Sequence, residues 1–194
     1  MNIYIKLFHI SIQSLVVFSL NAQISLDNPS LEGTPADATI PSGWFAASKG
    51  TTPDILPGFW GVYNEANDGE TYVGLIVRPD DSFESIGQRL KAKVEKNNCY
   101  KMSLNLAHSD TYTGYNDLLG LRIWIGSKKS KREQLIYDSG MIESDEWEIH
   151  KFEFQPIKNM QYIILEAYKK EGKKSYRGNI LIDDISTIVS CDKA

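Results

Sequence analysis

Two adjacent carboxylates, Asp183 and Asp184, stand in the otherwise apolar run Gly178-Asn-Ile-Leu-Ile-Asp-Asp-Ile-Ser186. An unpaired buried carboxylate is costly. The pair is therefore catalytic, metal-ligating, or placed where a strand ends. Successive side chains of a strand point to opposite faces, so these two do not act as acid and base on one bond. The chain carries no Gly-x-Ser-x-Gly elbow, no His-Glu-x-x-His, no phosphate-cradling glycine loop and no Cys-x-x-Cys. Of three histidines, His9 lies in the leading segment, His108 sits beside Ser109 and Asp110, and His150 falls in a strand pattern. Catalytic triads are assembled across a fold, not from contiguous residues, so His108 reads as a loop histidine. His150 is expected on an exposed strand face. A glycosidase-type carboxylate pair would leave little linear signature. Nothing singles one out, and the chain reads as a non-enzyme.

Binding chemistry is better represented. Sugars are held by aromatic faces beneath their C–H groups, with planar polar side chains on their hydroxyls. Phe59, Trp60 and Tyr63 stand next to Asn64, Glu65, Asn67 and Asp68; a later stretch offers Tyr112, Tyr115, Asn116 and Asp117. Arg122 and Trp124 alternate with Leu121, Ile123 and Ile125, which places them on the opposite face, as a platform on an open sheet. Candidate ligand residues are thus Trp60, Tyr63, Asn64, Tyr112, Tyr115, Asn116, Arg122 and Trp124. Trp60 and Tyr115 equally suit packing under their own loops, and Trp124 cover by the N-terminal region. Trp44 and Trp147 are expected in the core, where large aromatics are mostly found.

The elements that must position these residues are strands. Tyr100, Met102, Leu104 and Leu106 alternate with polar residues, as do Leu119, Leu121, Ile123 and Ile125. Trp147 and Ile149 alternate with Glu148 and His150, then the apolar phase slips to Phe152 and Phe154, which predicts a bulge near His150–Lys151. Residues 71–77, 83–90, 162–167 and 179–189 complete the set, the last two as continuous, central strands. Gly, Asn, Asp and Pro punctuate the gaps. Short strands without intervening helices predict an all-β antiparallel sandwich. Residues 28–70 are rich in Pro and Gly and thin in strand signals, a long irregular region of the kind that carries binding sites.

Residues 1–22 have the three-part pattern of a secretory signal peptide, with Lys6, an apolar centre and Ala22 as the small residue. The apolar stretch is interrupted by His9, Ser11, Gln13 and Ser14 and is too short for a membrane span. The expected mature chain, 23–194, is one domain of an exported protein, secreted or at the cell surface. Lys+Arg number 21 and Asp+Glu 25; without Lys6 the balance is 20 against 25, or −5. Such a balance offers no basic field for nucleic acid or anionic lipid. The basic run Lys128–Arg132 is expected as a solvated turn. Two cysteines, Cys99 and Cys191, are an even count in an exported chain and are expected as a disulfide.

Three stretches together resemble a known group. Asn28-Pro-Ser-Leu-Glu-Gly33 is followed by Gly43-Trp44, and the chain closes with Ile182-Asp-Asp-Ile185. This resembles the galactose-binding-like jelly-roll carbohydrate-binding modules, whose first strand typically reads Asn-x-x-Phe-Glu and whose last carries Asp-Asp-hydrophobic. Leu31 replaces the usual Phe. Residues Thr52-Pro-Asp54, Gly69–Leu75, Ile86–Leu90 and Cys99-Tyr100 resemble exported modules of gliding-type Bacteroidetes. The resemblance implies a galactose-binding-like β-sandwich and a structural Ca²⁺ joining its first and last strands. Carried over by residue, its acidic ligands are Glu32 and Asp183, completed by backbone carbonyls, a set that suits a hard cation. Asp184 is then expected to accept hydrogen bonds from loop backbone. The implied function is a non-catalytic carbohydrate-binding module for a glycan, with calcium as scaffold. The second reading is a cell-envelope structural or protein-interaction module, of adhesin type, without a sugar site. Loop aromatics serve protein interfaces equally well.

Overall fold

The computed structural model describes residues 23–173 and 175–191; the signal peptide expected over 1–22 lies outside them. In chain order the strands are β1 (Gln23–Ile24), β2 (Phe45–Ala46), β3 (Asp54–Leu56), β4 (Tyr72–Val77), β5 (Ser85–Val94), β6 (Tyr100–Ala107), β7 (Asp117–Leu118), β8 (Gly120–Gly126), β9 (Gln134–Met141), β10 (Glu148–Phe154), β11 (Met160–Tyr168), β12 (Gly178–Asp183) and β13 (Ile188–Ser190). An eight-stranded sheet runs β1-β13-β6-β12-β4-β3, with β10 also paired to β6 and β7 to β12; a five-stranded sheet runs β2-β5-β11-β8-β9. Every pairing is antiparallel except the short β7–β12 contact. The fold is an all-β jelly-roll sandwich.

The two-residue period explains the main core. Val73, Leu75 and Val77 of β4, Leu104 and Leu106 of β6, Leu121, Ile123 and Ile125 of β8, and Ile163 and Leu165 of β11 meet between the sheets. Trp44 joins them, as expected. The other face of the eight-stranded sheet carries a second, smaller core of Leu56, Val62, Tyr72, Ile76, Ala107, Tyr112 and Leu181, roofed by loops. β4 and β12 are therefore apolar on both faces, the condition under which alternation disappears from a sequence.

Three expectations differ. No bulge interrupts β10, which pairs with β6 in register from Glu148–Leu106 to Phe154–Tyr100. Ile149 simply faces outward, 56% exposed, while His150 turns inward, its Nδ1 2.6 Å from the Tyr137 hydroxyl. His150 is thus not an exposed strand histidine. The strand read over 179–189 breaks after Asp183, because Asp184 takes φ +45° and residues 184–187 leave the ladder. His108 does lie in the loop after β6, as expected, and is buried there against the Asn179 carbonyl.

The Cys99–Cys191 disulfide is present. It fastens the segment after β13 to the start of β6, where Cys191 N–H also donates to the Cys99 carbonyl at 3.1 Å.

Candidate functional site

The first segment of the irregular region is a closed loop built by one side chain. Asn28 Nδ2 donates to the Glu32 carbonyl at 2.8 Å, and its Oδ1 accepts the Glu32 N–H at 2.8 Å. Asn28 and Leu31 both take positive φ, and Leu31 is buried beneath them. The Trp44 ring N–H donates to the Asn28 carbonyl at 3.1 Å. The Ile185 N–H donates to the Pro29 carbonyl at 3.0 Å, so the end of the last long strand docks on this loop.

Glu32 and Asp183 then hold opposite ends of a second loop. Asp183 Oδ2 accepts the N–H groups of Asn67 and Asp68, at 2.8 and 3.0 Å, and its Oδ1 accepts the Asp184 N–H. Glu32 Oε1 accepts the Glu70 N–H at 3.1 Å, and its Oε2 the Thr71 hydroxyl at 3.2 Å. Gly69, at φ +70°, is fixed as glycine because a Cβ there would run into the Glu32 carboxylate. Asp183 is fully buried, and none of its partners among the described residues is a cation. Burial pushes its carboxyl up to about 6, against the pull of its N–H donors. The roles expected of the pair are exchanged in part: Asp183 takes the loop backbone, while Asp184 accepts side-chain amide hydrogens, from Asn105 at 3.0 Å. For calcium the donor chemistry fits. Two carboxylates that have no side-chain cation among the described residues face one loop, each with lone-pair capacity beyond the bonds described.

Trp60 occupies an unusual position. Residues 57–62 and 109–115 roof the second core and are zipped together. The Thr113 N–H and hydroxyl both donate to the Trp60 carbonyl at 2.8 Å, and the Thr111 hydroxyl to that of Gly61 at 2.7 Å. Trp60 sits at φ +54°, which a bulky residue rarely adopts, and its ring is 44% exposed. Its ring N–H donates to Asp37 at 3.1 Å, which fixes the indole plane. A small cleft of about 120 Å³ opens beside it, bounded by Asp37, Asp54, Arg78 and Tyr115. Arg78 is held there by Glu84 at 2.6 Å and Thr52 at 2.9 Å, and the Arg177 guanidinium lies 5.4 Å from the Tyr115 ring centre.

Tyr112 does not belong to the ligand set. It is 1% exposed and its hydroxyl donates to the buried Asp54 carboxylate beneath the loops. Burial, followed by the Asp37 and Glu84 carboxylates, pushes Asp54 up to about 6 from 3.8, against bonds from Tyr112 and the Ala38 N–H that lower it. Folding therefore takes up a proton between about pH 4 and 6. The stability from this group is greatest below that window and is lost as pH rises through it, by on the order of 2–3 kcal/mol. Asp54→Asn, which cannot titrate, should make that part of the melting temperature profile shallower. An unchanged decline between about pH 4 and 6 would assign it to another group, such as Asp183, whose carboxyl is raised over the same range.

On the other side of the same loop lies a larger cleft, of about 520 Å³, lined by residues 64–67 and by Asp145, Glu146 and Trp147. Asn64 bridges its walls by donating to the Asp145 carbonyl at 3.1 Å. Trp147 is absent from the core between the sheets but packs, partly buried, against the second core. It lies half-exposed outside the eight-stranded sheet, its ring edge-on to Tyr72 at 5.2 Å and its N–H donating to the Glu65 carbonyl at 2.8 Å. Tyr63, 73% exposed, stands on the loop between the two clefts, and Asn116 is exposed after Tyr115. Asp37, Asp54, Arg78 and Trp147 were not legible as site residues. The acid-rich approach to Trp147, Glu143-Ser-Asp-Glu146, was the available signal.

Arg122 and Trp124 do face outward on β8, but that face is not open. The Arg132 side chain crosses it from the β8–β9 turn. It pairs with Glu166, and its Nη2 donates to Ser48 at 2.7 Å and Ser85 at 2.8 Å. The Trp124 ring N–H is spent on Glu166 at 3.2 Å, and Arg122 is engaged with Asp138 at 3.1 Å and with the Tyr168 ring. The structure thus separates these two residues from the loop site, and the basic turn is in part a structural clasp.

No protein family matches the chain, and no curated protein sequence does. Solved structures resemble it in fold. A cyclase from Fischerella sp., in its apo form, aligns over 90% of this chain and 98% of its own at TM-score 0.60 and 11% identity. The tandem CBM22-1–CBM22-2 domain of Paenibacillus barcinonensis Xyn10C aligns over 92% of this chain and 49% of its own at TM-score 0.56 and 14% identity. The CBM22-2 xylan-binding domain of the same protein aligns over 79% and 94% at TM-score 0.52 and 9% identity. At these identities the likeness is one of fold: the chain shares the jelly-roll sandwich found in carbohydrate-binding modules and also in a cyclase.

Proposed function

We propose that the protein is an exported, non-catalytic carbohydrate-binding module that holds a glycan on the loop roof of its eight-stranded sheet. The observation that carries this is Trp60, an exposed indole kept at positive φ between Gly58 and Gly61. Backbone strain of this kind persists at functional positions, where the surroundings over-determine it. Phe59 and Tyr63 add exposed rings within the same five residues, and Asn64, Asn67 and Tyr115 supply polar and stacking groups at the cleft edges. The jelly-roll fold, common to xylan-binding modules, supports the same reading. The test is a glycan array with the protein at neutral pH. Binding to a defined glycan class that is weakened by Trp60→Gly supports it; silence across the array from folded protein overturns it and directs the search to a protein partner at the cell envelope.

In the same reading Glu32 and Asp183, with nearby carbonyl oxygens, hold a calcium ion that stabilises the scaffold without touching the sugar. A ligand that binds only the folded state raises stability by mass action. Saturating calcium should raise the melting temperature by about 5–10 °C over EDTA, taking about 3 kcal/mol of linkage and the usual slope for this size. Asp183→Asn should abolish the difference. Equal melting temperatures in calcium and EDTA would remove calcium from the account.

A further inference from the structure

We infer that the larger cleft, between residues 64–67 and 145–147, takes a cationic, amine-bearing sugar rather than a neutral or acidic one; this rests on the carbohydrate reading above. The cleft is lined by three exposed carboxylates, Glu65, Asp145 and Glu146, and by one face of Trp147, with no Lys, Arg or His among its lining residues. Six acids elsewhere on the molecule are paired with a cation: Glu84 with Arg78, Asp27 with Lys91, Asp138 with Arg122, Glu166 with Arg132, Glu133 with Lys158 and Asp81 with Lys169. None of the ion pairs among the described residues involves Glu65, Asp145 or Glu146.

The segregation is visible along the chain. From Ser139 to Ile149 there are four acids and no Lys or Arg, and from Gly50 to Tyr72 four acids and no Lys or Arg. The loops that roof the second core therefore bring together negative charge that no ion pair among the described residues neutralises. An aromatic face beside uncompensated carboxylates is the chemistry that recognises an ammonium group, by cation–π attraction and charge-assisted hydrogen bonds. The bridge from Asn64 to the Asp145 carbonyl holds the two walls at fixed spacing. The volume, about 520 Å³, is in the range of small-molecule sites and accommodates one or two sugar rings.

The experiment is calorimetric titration of the protein with a glucosamine hexamer, its fully N-acetylated counterpart and cellohexaose. It is run at mildly acidic pH, where the free amine keeps its proton, and in calcium-containing and calcium-free buffer. Hexalysine serves as the charge-only control. The glucosamine hexamer is expected to bind at least about tenfold tighter than the other two sugars, the order expected for desolvated charge complementarity. Combined Glu65→Gln, Asp145→Asn and Glu146→Gln should erase that preference. All three positions are exposed, so the fold is retained, and residual affinity for every sugar should survive. Equal binding of the three hexamers overturns the charge inference and leaves the sugar reading standing. No binding of any overturns both. Hexalysine binding as tightly as the amino sugar, or a preference seen only with calcium, also overturns it.

Discussion

Replacing Trp60 with glycine should cost about 100-fold in glycan affinity while leaving the melting temperature unchanged or slightly higher, because stacking of a single ring is worth on the order of 2–3 kcal/mol at an aromatic hot spot. The stability half of that result is the more diagnostic. Left-handed φ costs a side-chain-bearing residue about 1–2 kcal/mol, and glycine nothing. Against this stand the ring's bond to Asp37 and its partial burial. The Thr113 N–H and hydroxyl bonds go to the backbone carbonyl of residue 60 and survive the change. A tryptophan retained solely for packing would give the reverse: a fall of several degrees and no change in binding. Trp60→Ala separates the terms, since alanine loses the ring but keeps the strain. It should bind as poorly as the glycine variant and melt below it.

The second large effect is on stability alone. Cys99 and Cys191 are 92 residues apart in sequence. Closing so long a loop stabilises the fold by about 4–5 kcal/mol in the chain-entropy account. Reduction, or Cys99→Ala with Cys191→Ala, should lower the melting temperature by about 10–15 °C at the slope usual for this size. The elements released first are small: β13 pairs only Val189 and Ser190 with β6, and β1 pairs only Gln23 and Ile24 with β13. The bridge lies at the Tyr100 end of β6, whereas the roofing loop 109–115 follows its Ala107 end, roughly 25 Å away at the rise of a strand. Glycan affinity measured well below the melting transition should therefore be unchanged on reduction. A parallel loss of affinity would mean that the C-terminal segment shapes the site.

Much of this protein was determined locally. Strict alternation in Tyr100–Leu106 and Leu119–Ile125 reports which face is buried, because the side-chain period of a strand is two, and both strands form as read. The even cysteine count in a chain read as exported indicated the disulfide. The turn residues punctuated the strands, and their number and length defined an antiparallel sandwich. Where both faces of a strand are buried the pattern carries no such information. β4 and β12 serve two cores at once, so the second core and its roof of loops were invisible in their composition.

That second core explains the errors. Tyr112 and Trp147 are both aromatic residues in stretches of polar neighbours, and by type alone each suits a ligand surface or a core. Tertiary packing assigned Tyr112 to the interior, as the donor to Asp54, and brought Trp147 out to the wall of a cleft. Arg122 and Trp124 face outward as their spacing requires, yet Arg132, from the turn that follows β8, pairs with the same Glu166 that takes the Trp124 ring N–H. Sequence spacing fixes direction within a strand but not what another loop lays over it. Asp183 was recognisable as an anomaly because charge is expensive in an apolar strand. Only the folded chain, which places Asn67, Asp68 and Asp184 N–H groups around it, showed that a carboxylate there anchors a loop. Short-range patterns set by backbone period and residue type are thus local properties of the chain, while the binding surface depends on contacts between segments up to about 116 residues apart, set by sheet order.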